Sequence, residues 1–433
     1  MKRVLIYANS GLDADELDTL RALARRILQL PGELDLRILS DAPVCLRREG
    51  DAGVSQLHLS KLGVAGNPSA QHTCRGAELE ARTRIIRRAL AQFNPDLVLV
   101  DGLPYGQYDE LAPILATPWP VQIGPQWVLL LRDLLGCGEP AARLWRKRGY
   151  FEAIAKHYKQ VLVLGERRVF DLEREYQVPA AAAEKFSYCG YFAPEPGRSV
   201  PGRLRRALGV ANSERLVVVT AGAGADGEAL IRNVLAGLRA RPAALRPRCH
   251  IVYGEQMRES ERLAAACLIH GMPSVSLQHG SRDMMSLIAA ADVVVANASY
   301  HKICEVLALR RRTVVVPGET DAKEQTMRAR RMEELGLIRM VPAHACTPRA
   351  LLEAICTEVL AAASQRLTAW RPTTDSIEFI TSTVGDLLDL EPECVTDARA
   401  LRSARKARQR APPSVGLPLR NLVESDPRIS GLR

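Results

Sequence analysis

Short β-branched and aliphatic runs alternate with helical stretches along most of the chain, the rhythm of parallel sheets with crossover helices. The first half predicts strands at Val4–Tyr7, Leu34–Leu39, Leu97–Asp101, Val121–Ile123 and Val161–Leu164, with helices over 14–29, 77–92 and 140–158. Asp13 with Glu16 has capping-box spacing for the first helix. Asn94-Pro95 ends the helix before the Leu97–Asp101 strand. Residues 193–202, APEPGRSVPG, hold three prolines and two glycines in ten positions and read as a linker. The rhythm then restarts with strands at Leu216–Thr220, His250–Tyr253, Val275–Leu277, Val293–Ala296 and Thr313–Val316. Helices fall near 226–240, 259–270, 283–290, 299–309, 322–335 and 348–363.

These patterns predict an α/β chain of two Rossmann-like domains, 1–192 and 203–374, facing each other across a cleft. Ligands of such sheets bind at the carboxyl ends of the strands. An amphipathic helix follows within 375–396, and 397–433 reads as a basic, poorly ordered tail.

Composition narrows the classes. At 433 residues and 47% hydrophobic content, the chain suits two globular domains. The tempting apolar run Trp127–Leu131 is closed by Arg132 and Asp133, far short of the roughly 18 residues a membrane span needs. The opening run Val4–Ala8 is too short for a signal peptide and reads as a core strand, which makes a cytoplasmic protein the expectation. Ten cysteines run from Cys45 to Cys394 without CxxC spacing, and the eight histidines form no HxxxH, so no metal or other cofactor is expected. The net charge of +10 invites a nucleic-acid reading. Residues 397–433, however, hold nine basic against three acidic residues, a net of +6, leaving +4 for the other 396. That distribution argues against a nucleic-acid groove.

Two stretches carry candidate chemistry. Val217–Gly227 is a strand, a glycine-rich turn and a helix start, and Gly222, Gly224 and Gly227 satisfy GxGxxG. Such a turn lets backbone N–H groups approach a phosphate. A dinucleotide would also need an acid about 20 residues on. Glu255 stands 28 residues past Gly227, which disfavours NAD. The second stretch, 283–336, runs Ala-Asp, strand, a small-residue turn at Ala298-Ser299, a helix carrying Glu305, a strand ending at Val316-Pro317, and a helix opening at Glu324-Gln325.

This second stretch resembles the donor-nucleotide half of the MurG-like glycosyltransferases, which have the GT-B fold. Four further runs, DGLPYGQYDEL (101–111), LLLRDLLG (129–136), 150–176 and YCGYF (188–192), resemble a bacterial group of glycosyltransferases related to family 28. The resemblance implies a metal-independent hexosyltransferase using a nucleotide-sugar, UDP-linked in most such enzymes, and leaves the acceptor unnamed. It implies that Glu305 binds the ribose hydroxyls, for which a carboxylate suits because it accepts two hydrogen bonds. It further places Glu324 and Gln325 at the sugar, His279 at the nucleobase, and Ser299 with Lys302 and the glycine turn at the diphosphate. Gly11, Tyr105 and Tyr108 fall on the acceptor side.

The sequence also departs from that family. Where the family has Gly-x-Gly-His after the first strand, this chain reads SGLDADELDTL, with Asp15 at the histidine position as the candidate general base. The consecutive glycines of the C-terminal turn are Ala298-Ser299, and the glycine before the last strand is replaced within Arg310–Arg312. Added Cβ atoms push a diphosphate away from the helix N-terminus, and Lys302 compensates as a point charge. Two alternatives therefore stand beside the transferase: a non-catalytic binder of a nucleotide-sugar or partner, and a nucleotide-sugar 2-epimerase. Cys304 reads as core packing. Arg143, Arg146, Lys147 and Arg148 read as a solvated helix face, with peripheral contact to anionic lipid as the second reading.

Overall fold

The computed structural model describes residues 1–8, 14–41, 54–59, 71–117, 124–221, 225–254, 257–281, 283–318, 322–361 and 372–390. The chain forms two compact units, which among the described residues are 1–192 with 375–390, and 193–374.

The first unit holds a seven-stranded, wholly parallel sheet. Its strands are β1 (Lys2–Tyr7), β2 (Leu34–Ser40), β3 (Val54–His58), β4 (Leu97–Asp101), β5 (Gln126–Arg132), β6 (Gln160–Leu164) and β7 (Phe186–Tyr188), in the order β3-β2-β1-β4-β5-β6-β7. The second unit holds β8 (Leu216–Thr220), β9 (Arg248–Tyr253), β10 (Val275–His279), β11 (Val293–Ala296), β12 (Arg312–Val315) and β13 (Arg339–Met340), all parallel, in the order β10-β9-β8-β11-β12-β13. Both sheets are doubly wound, and the direction in which strands are added reverses between β1 and β4 and between β8 and β11. The crevice at each reversal, on the carboxyl edge, is where open α/β sheets bind ligands.

The central strands are buried on both faces, which is why they read as continuous aliphatic runs. Val217, Val219, Val293 and Val295 join the core on one face of the second sheet, while Leu216, Val218, Val294 and Ala296 join the core on the other. Each fully buried aliphatic side chain contributes about 1.5–3 kcal/mol. The helices Ala225–Ala240 and Pro348–Leu360 cross closely on the first of these faces. A Cβ at Gly237 would stand 2.6 Å from the Pro348 carbonyl oxygen, so the crossing requires glycine.

Several elements differ from the sequence expectation. The helix expected over 140–158 is two, Gly138–Lys147 and Tyr150–His157, because Gly149 takes φ +68° and breaks the ladder between them. The run Trp127–Leu131, which only length had excluded from the membrane, is the core of β5. β3 and β7 carry too few apolar residues in sequence to stand out. The strand expected at Val121–Ile123, the capping residue Asp13 and the tail 397–433 lie outside the described residues.

The segment after 374 returns to the first unit. Its helix Ser376–Leu387 packs on the helix Ala14–Leu28, Gln126 Nε2 donates to the Leu387 carbonyl at 2.6 Å, and Gly385 lies against Leu30. The proline-rich stretch 193–202 is tied to the second unit. Arg198 N–H donates to Asp283 Oδ1 at 3.2 Å and Ser199 N–H to Ser286 Oγ at 2.8 Å.

Candidate functional site

On the carboxyl edge of the second sheet, the loop after β11 enters the helix Tyr300–Leu309 through Ser299, whose Oγ caps it by accepting from Lys302 N–H at 3.5 Å. Gln325, in the first turn of the helix Ala322–Glu334, reaches across to this loop. Its Oε1 accepts from Ala298 N–H at 3.1 Å and from Gly318 N–H at 2.9 Å, joining the chain after β11 to the chain after β12. One turn on, Arg328 is 1% exposed, donates to the Ala298 carbonyl at 3.0 Å and holds Glu324 Oε1 at 2.6 Å. Its guanidinium also lies 5.9 Å from the Tyr300 ring centroid. Ala298 therefore has both backbone groups fixed by side chains of the next helix.

Glu305 is buried one turn beyond Lys302, whose Nζ donates to Oε1 at 2.8 Å and to Oε2 at 3.0 Å. The two residues assigned in sequence to ribose and diphosphate thus form one ion pair here. Its low exposure strengthens the attraction and raises the cost of removing either partner. Cys304 beside them is fully buried. Arg310 closes the helix in the left-handed region at φ +53°, a conformation that favours glycine.

His279 ends β10 and stacks on Tyr253 at the end of β9, with ring centroids 5.2 Å apart. On the alternate positions of these strands, His250 Nδ1 lies 2.8 Å from Ser276 Oγ and Nε2 2.9 Å from Gln278 Oε1. The Gln278 amide nitrogen donates to the Gly280 carbonyl, so its oxygen faces His250. His250 accordingly donates through Nε2 and accepts at Nδ1. Burial lowers its pKa, which keeps it neutral. Thr220 ends β8 just before the glycine turn, and its buried Oγ1 has no hydrogen-bond partner among the described residues. Gly222 and Gly224 lie outside the described residues.

The carboxyl edge of the first sheet is more highly charged. Tyr7, the last residue of β1, donates to Glu110 Oε1 at 2.6 Å. Arg82 Nε donates to the same oxygen at 2.7 Å, while its Nη1 lies 3.4 Å from Asp41 Oδ2. Glu110 Oε2 accepts from Tyr108 N–H at 2.8 Å, so the cluster fixes the turn after β4. A Cβ at Gly106, which has φ +80°, would stand 2.7 Å from Glu110 Oε2 and 2.8 Å from the Tyr7 hydroxyl. Arg82 and Glu110 are 1% and 0% exposed. Burial first, and the Glu110 charge next, push the Tyr7 phenol well above its ordinary pKa, so it remains a donor.

This cluster sits at the β1/β4 reversal, and sequence reading missed it. Glu110 lay within a quoted run but had no visible partner, and Arg82 is one of several arginines in its helix. The better signal was Tyr7, a phenol ending an otherwise aliphatic strand, since a buried hydroxyl requires a partner.

Tyr105 and Tyr108 lie on the turn that Glu110 fixes. The Tyr105 ring meets Tyr150 edge-on at 5.6 Å, and burial, then Glu152 and Asp109, raise its pKa. Tyr108 is exposed, with the Arg82 guanidinium 5.7 Å from its ring centroid. Asp15 lies in the first turn of the helix Ala14–Leu28. The neighbouring Glu16 and Asp101 each lie 3.4 Å from the Arg132 guanidinium, tying that helix start to the ends of β4 and β5. Gly11 lies outside the described residues. Of the basic residues on Gly138–Lys147 and just beyond, Arg146 donates to the Tyr176 carbonyl and Arg148 pairs with Asp109, while Arg143 faces Glu139. No helix among the described residues is long and apolar enough to cross a membrane.

With two doubly wound sheets and these edges in place, comparison with known proteins gives a class. Residues 216–374 match the glycosyltransferase family 28 C-terminal domain. The chain has the GT-B fold of two Rossmann-like domains. It superposes on MurG of Acinetobacter baumannii with a TM-score of 0.56 at 17% identity, covering 90% of this chain and 99% of that one. A UDP-glucosyltransferase of Polygonum tinctorium gives 0.59 at 12% identity, covering 95% and 99%. A putative UDP-N-acetylglucosamine 2-epimerase of Listeria monocytogenes gives 0.61 at 13%, covering 91% and 100%. At these identities the likeness is one of fold. No curated protein matches the sequence at a significant level.

Proposed function

We propose that the protein is a glycosyltransferase moving a hexosyl group from a UDP-linked donor to an acceptor hydroxyl. The carrying observation is that the family 28 match spans the whole Ser299–Glu305–Gln325 cluster, at the strand ends where such sheets take ligands. In this reading Glu305 accepts from the ribose diol, Lys302 turns toward the diphosphate, and the start of the helix Tyr300–Leu309 opposes the charge of the departing UDP. Gln325 holds the turn in shape while Glu324 and Gln325 border the sugar, and His279 on Tyr253 offers a stacked surface to the base. Gly222 and Gly224 supply backbone N–H groups. Tyr105 and Tyr108 border the acceptor with Gly11, and Asp15 removes the acceptor proton. The enzyme works in the cytoplasm, where nucleotide-sugars are available.

One observation favours a second reading, a GT-B protein that binds without turnover: both Glu305 oxygens are already engaged by Lys302. Calorimetric titration with UDP and UDP-sugars separates the readings when coupled to assays of UDP release with and without glycan acceptors. Turnover requiring an acceptor supports the transferase, and binding without turnover supports the second reading. Inversion at C2 of the sugar without an acceptor points to an epimerase. In the folded Glu305→Ala protein UDP affinity should fall at least tenfold, since a hydrogen bond to a charged group contributes about 1.5–3 kcal/mol. Unchanged affinity would remove the donor assignment.

A further inference from the structure

A cavity lies at the other end of the second sheet. Its volume is about 560 Å³, within the roughly 300–1,000 Å³ typical of small-molecule sites. Arg215 just before β8, Arg248 opening β9 and Ser274 just before β10 place it on the amino edge. Strands of five or six residues put this edge about 15–20 Å from Ser299 and Gln325. It is therefore separate from the donor-binding cluster.

Its walls combine two chemistries. Arg215, Arg241, Arg246 and Arg248 line it, with Glu214 the only acid among the described lining residues; Glu214 pairs with Arg248 Nε at 3.1 Å, and Arg215 Nη1 is held by Asp292 at 3.1 Å. The arginines are held in place by the chain. Arg241 Nε donates to the Leu245 carbonyl at 2.7 Å, and Arg246 Nε donates back to the Arg241 carbonyl at 2.8 Å. Arg248 Nη1 donates to the Pro273 carbonyl at 2.7 Å. Among the described residues these bonds leave Nη2 of Arg241 and of Arg248 without a partner. The rest of the lining is mainly apolar, and Leu245 and Leu360 are exposed despite their size.

Guanidinium groups with fixed stems and spare N–H donors suit a phosphate or carboxylate. The apolar walls suit a hydrocarbon or ring body attached to it. We propose that this cavity is a second ligand site, independent of the nucleotide-sugar site, for a small amphiphilic anion with one phosphate or carboxylate on a short apolar body. The anion meets Arg241 and Arg248, and the body lies along Leu245, Val359 and Leu360.

Cys356 provides a local reporter. It lines the cavity half-buried, with Arg241 Nη1 3.2 Å from its sulfur, whereas Cys267 is exposed outside the cavity. The experiment alkylates the full chain with iodoacetamide, with octyl phosphate, octanol or inorganic phosphate added, and follows each cysteine by mass spectrometry. Octyl phosphate should slow Cys356 at least fivefold and leave Cys267 unchanged. In calorimetry it should bind once per chain. Its affinity should fall at least tenfold in Arg241→Gln/Arg248→Gln and also in Leu360→Asp, a surface change that leaves the fold intact. Failure of octyl phosphate to protect Cys356 overturns the proposal. Equal protection by octanol removes the anion half of it, and equal protection by inorganic phosphate removes the apolar half. Undiminished binding to either variant places the ligand elsewhere and overturns it as well.

Discussion

The two sheets share a winding pattern yet hold their carboxyl edges by different means. The first joins distant parts of the chain through buried charge: Arg82 and Glu110 are sealed from water, with Tyr7 and Asp41 as partners. In the second, Gln325 bridges Ala298 and Gly318 by neutral bonds to backbone, and the buried Arg328 donates to the Ala298 carbonyl. Here the charged pairs, Lys302–Glu305 and Glu324–Arg328, are each local to about one helix turn. A buried ion pair adds little net stability but penalises any rearrangement that separates it. A glutamine bridge costs less to rearrange, and a pair within one turn can exchange partners when a ligand arrives. The first edge is therefore the more costly of the two to rearrange, and the second the more adaptable.

The sharpest break of this comparison is Glu110→Gln. It should cost about 3 kcal/mol or more, because it removes the nearer of the two carboxylates that face the buried Arg82 guanidinium and leaves Asp41 at 3.4 Å. Chemical denaturation followed by the fluorescence of Trp127 and Trp145, both buried in the first unit, measures it. A loss below 1 kcal/mol would mean that water reaches Arg82 and that the first edge is not the costlier one to rearrange.

Next comes Asp15→Asn, which tests whether the first edge also supplies chemistry. With a donor and acceptor in hand, turnover should fall a hundredfold or more, about 2.7 kcal/mol in the barrier, with UDP affinity barely changed. Near-normal turnover would end the assignment of Asp15 as base.

The smallest effect concerns pH. Burial holds the folded-state pKa of His250 below its unfolded value. The unfolded chain therefore takes up a proton that the folded chain refuses. The contribution is complete above about pH 6.5 and is lost as pH falls below it, by at most about 1.4 kcal/mol per pH unit. Hydrogen exchange of β9 amides should accelerate from pH 7.5 to 5.5, after correction for the intrinsic rate. His250→Gln should flatten that change. An unaltered slope would assign it to other groups.

The alternating rhythm made nearly all of the second sheet legible, because Val217–Val219 and Val293–Val295 are buried on both faces and leave no other reading. The split at Gly149 was not legible, since a glycine within a helical stretch announces a break only once its φ is known. In the candidate site, sequence named Glu305 and Gln325 but not the contacts they make. The pairing of Lys302 with Glu305 has i,i+3 spacing and was readable in principle. The Tyr7–Arg82–Glu110 cluster was not, because its members stand 75 and 28 residues apart and meet only through the sheet. Arg310 was not legible either: nothing in its sequence context announces the left-handed conformation that ends its helix.

The helix Ser376–Leu387 has a consequence for how the protein is made. It completes the first unit by packing on Ala14–Leu28, yet it leaves the ribosome after the whole second unit. Vectorial synthesis generally lets an amino-terminal domain fold first. Here that domain must wait with one helix face bare through the synthesis of some 180 residues, counting from Ala193 to Thr374. Closing so long a loop carries an entropic cost that grows only logarithmically with length, so the delay burdens the timetable more than the final stability. The nascent chain thus carries an uncovered helix face until residues 376–387 emerge.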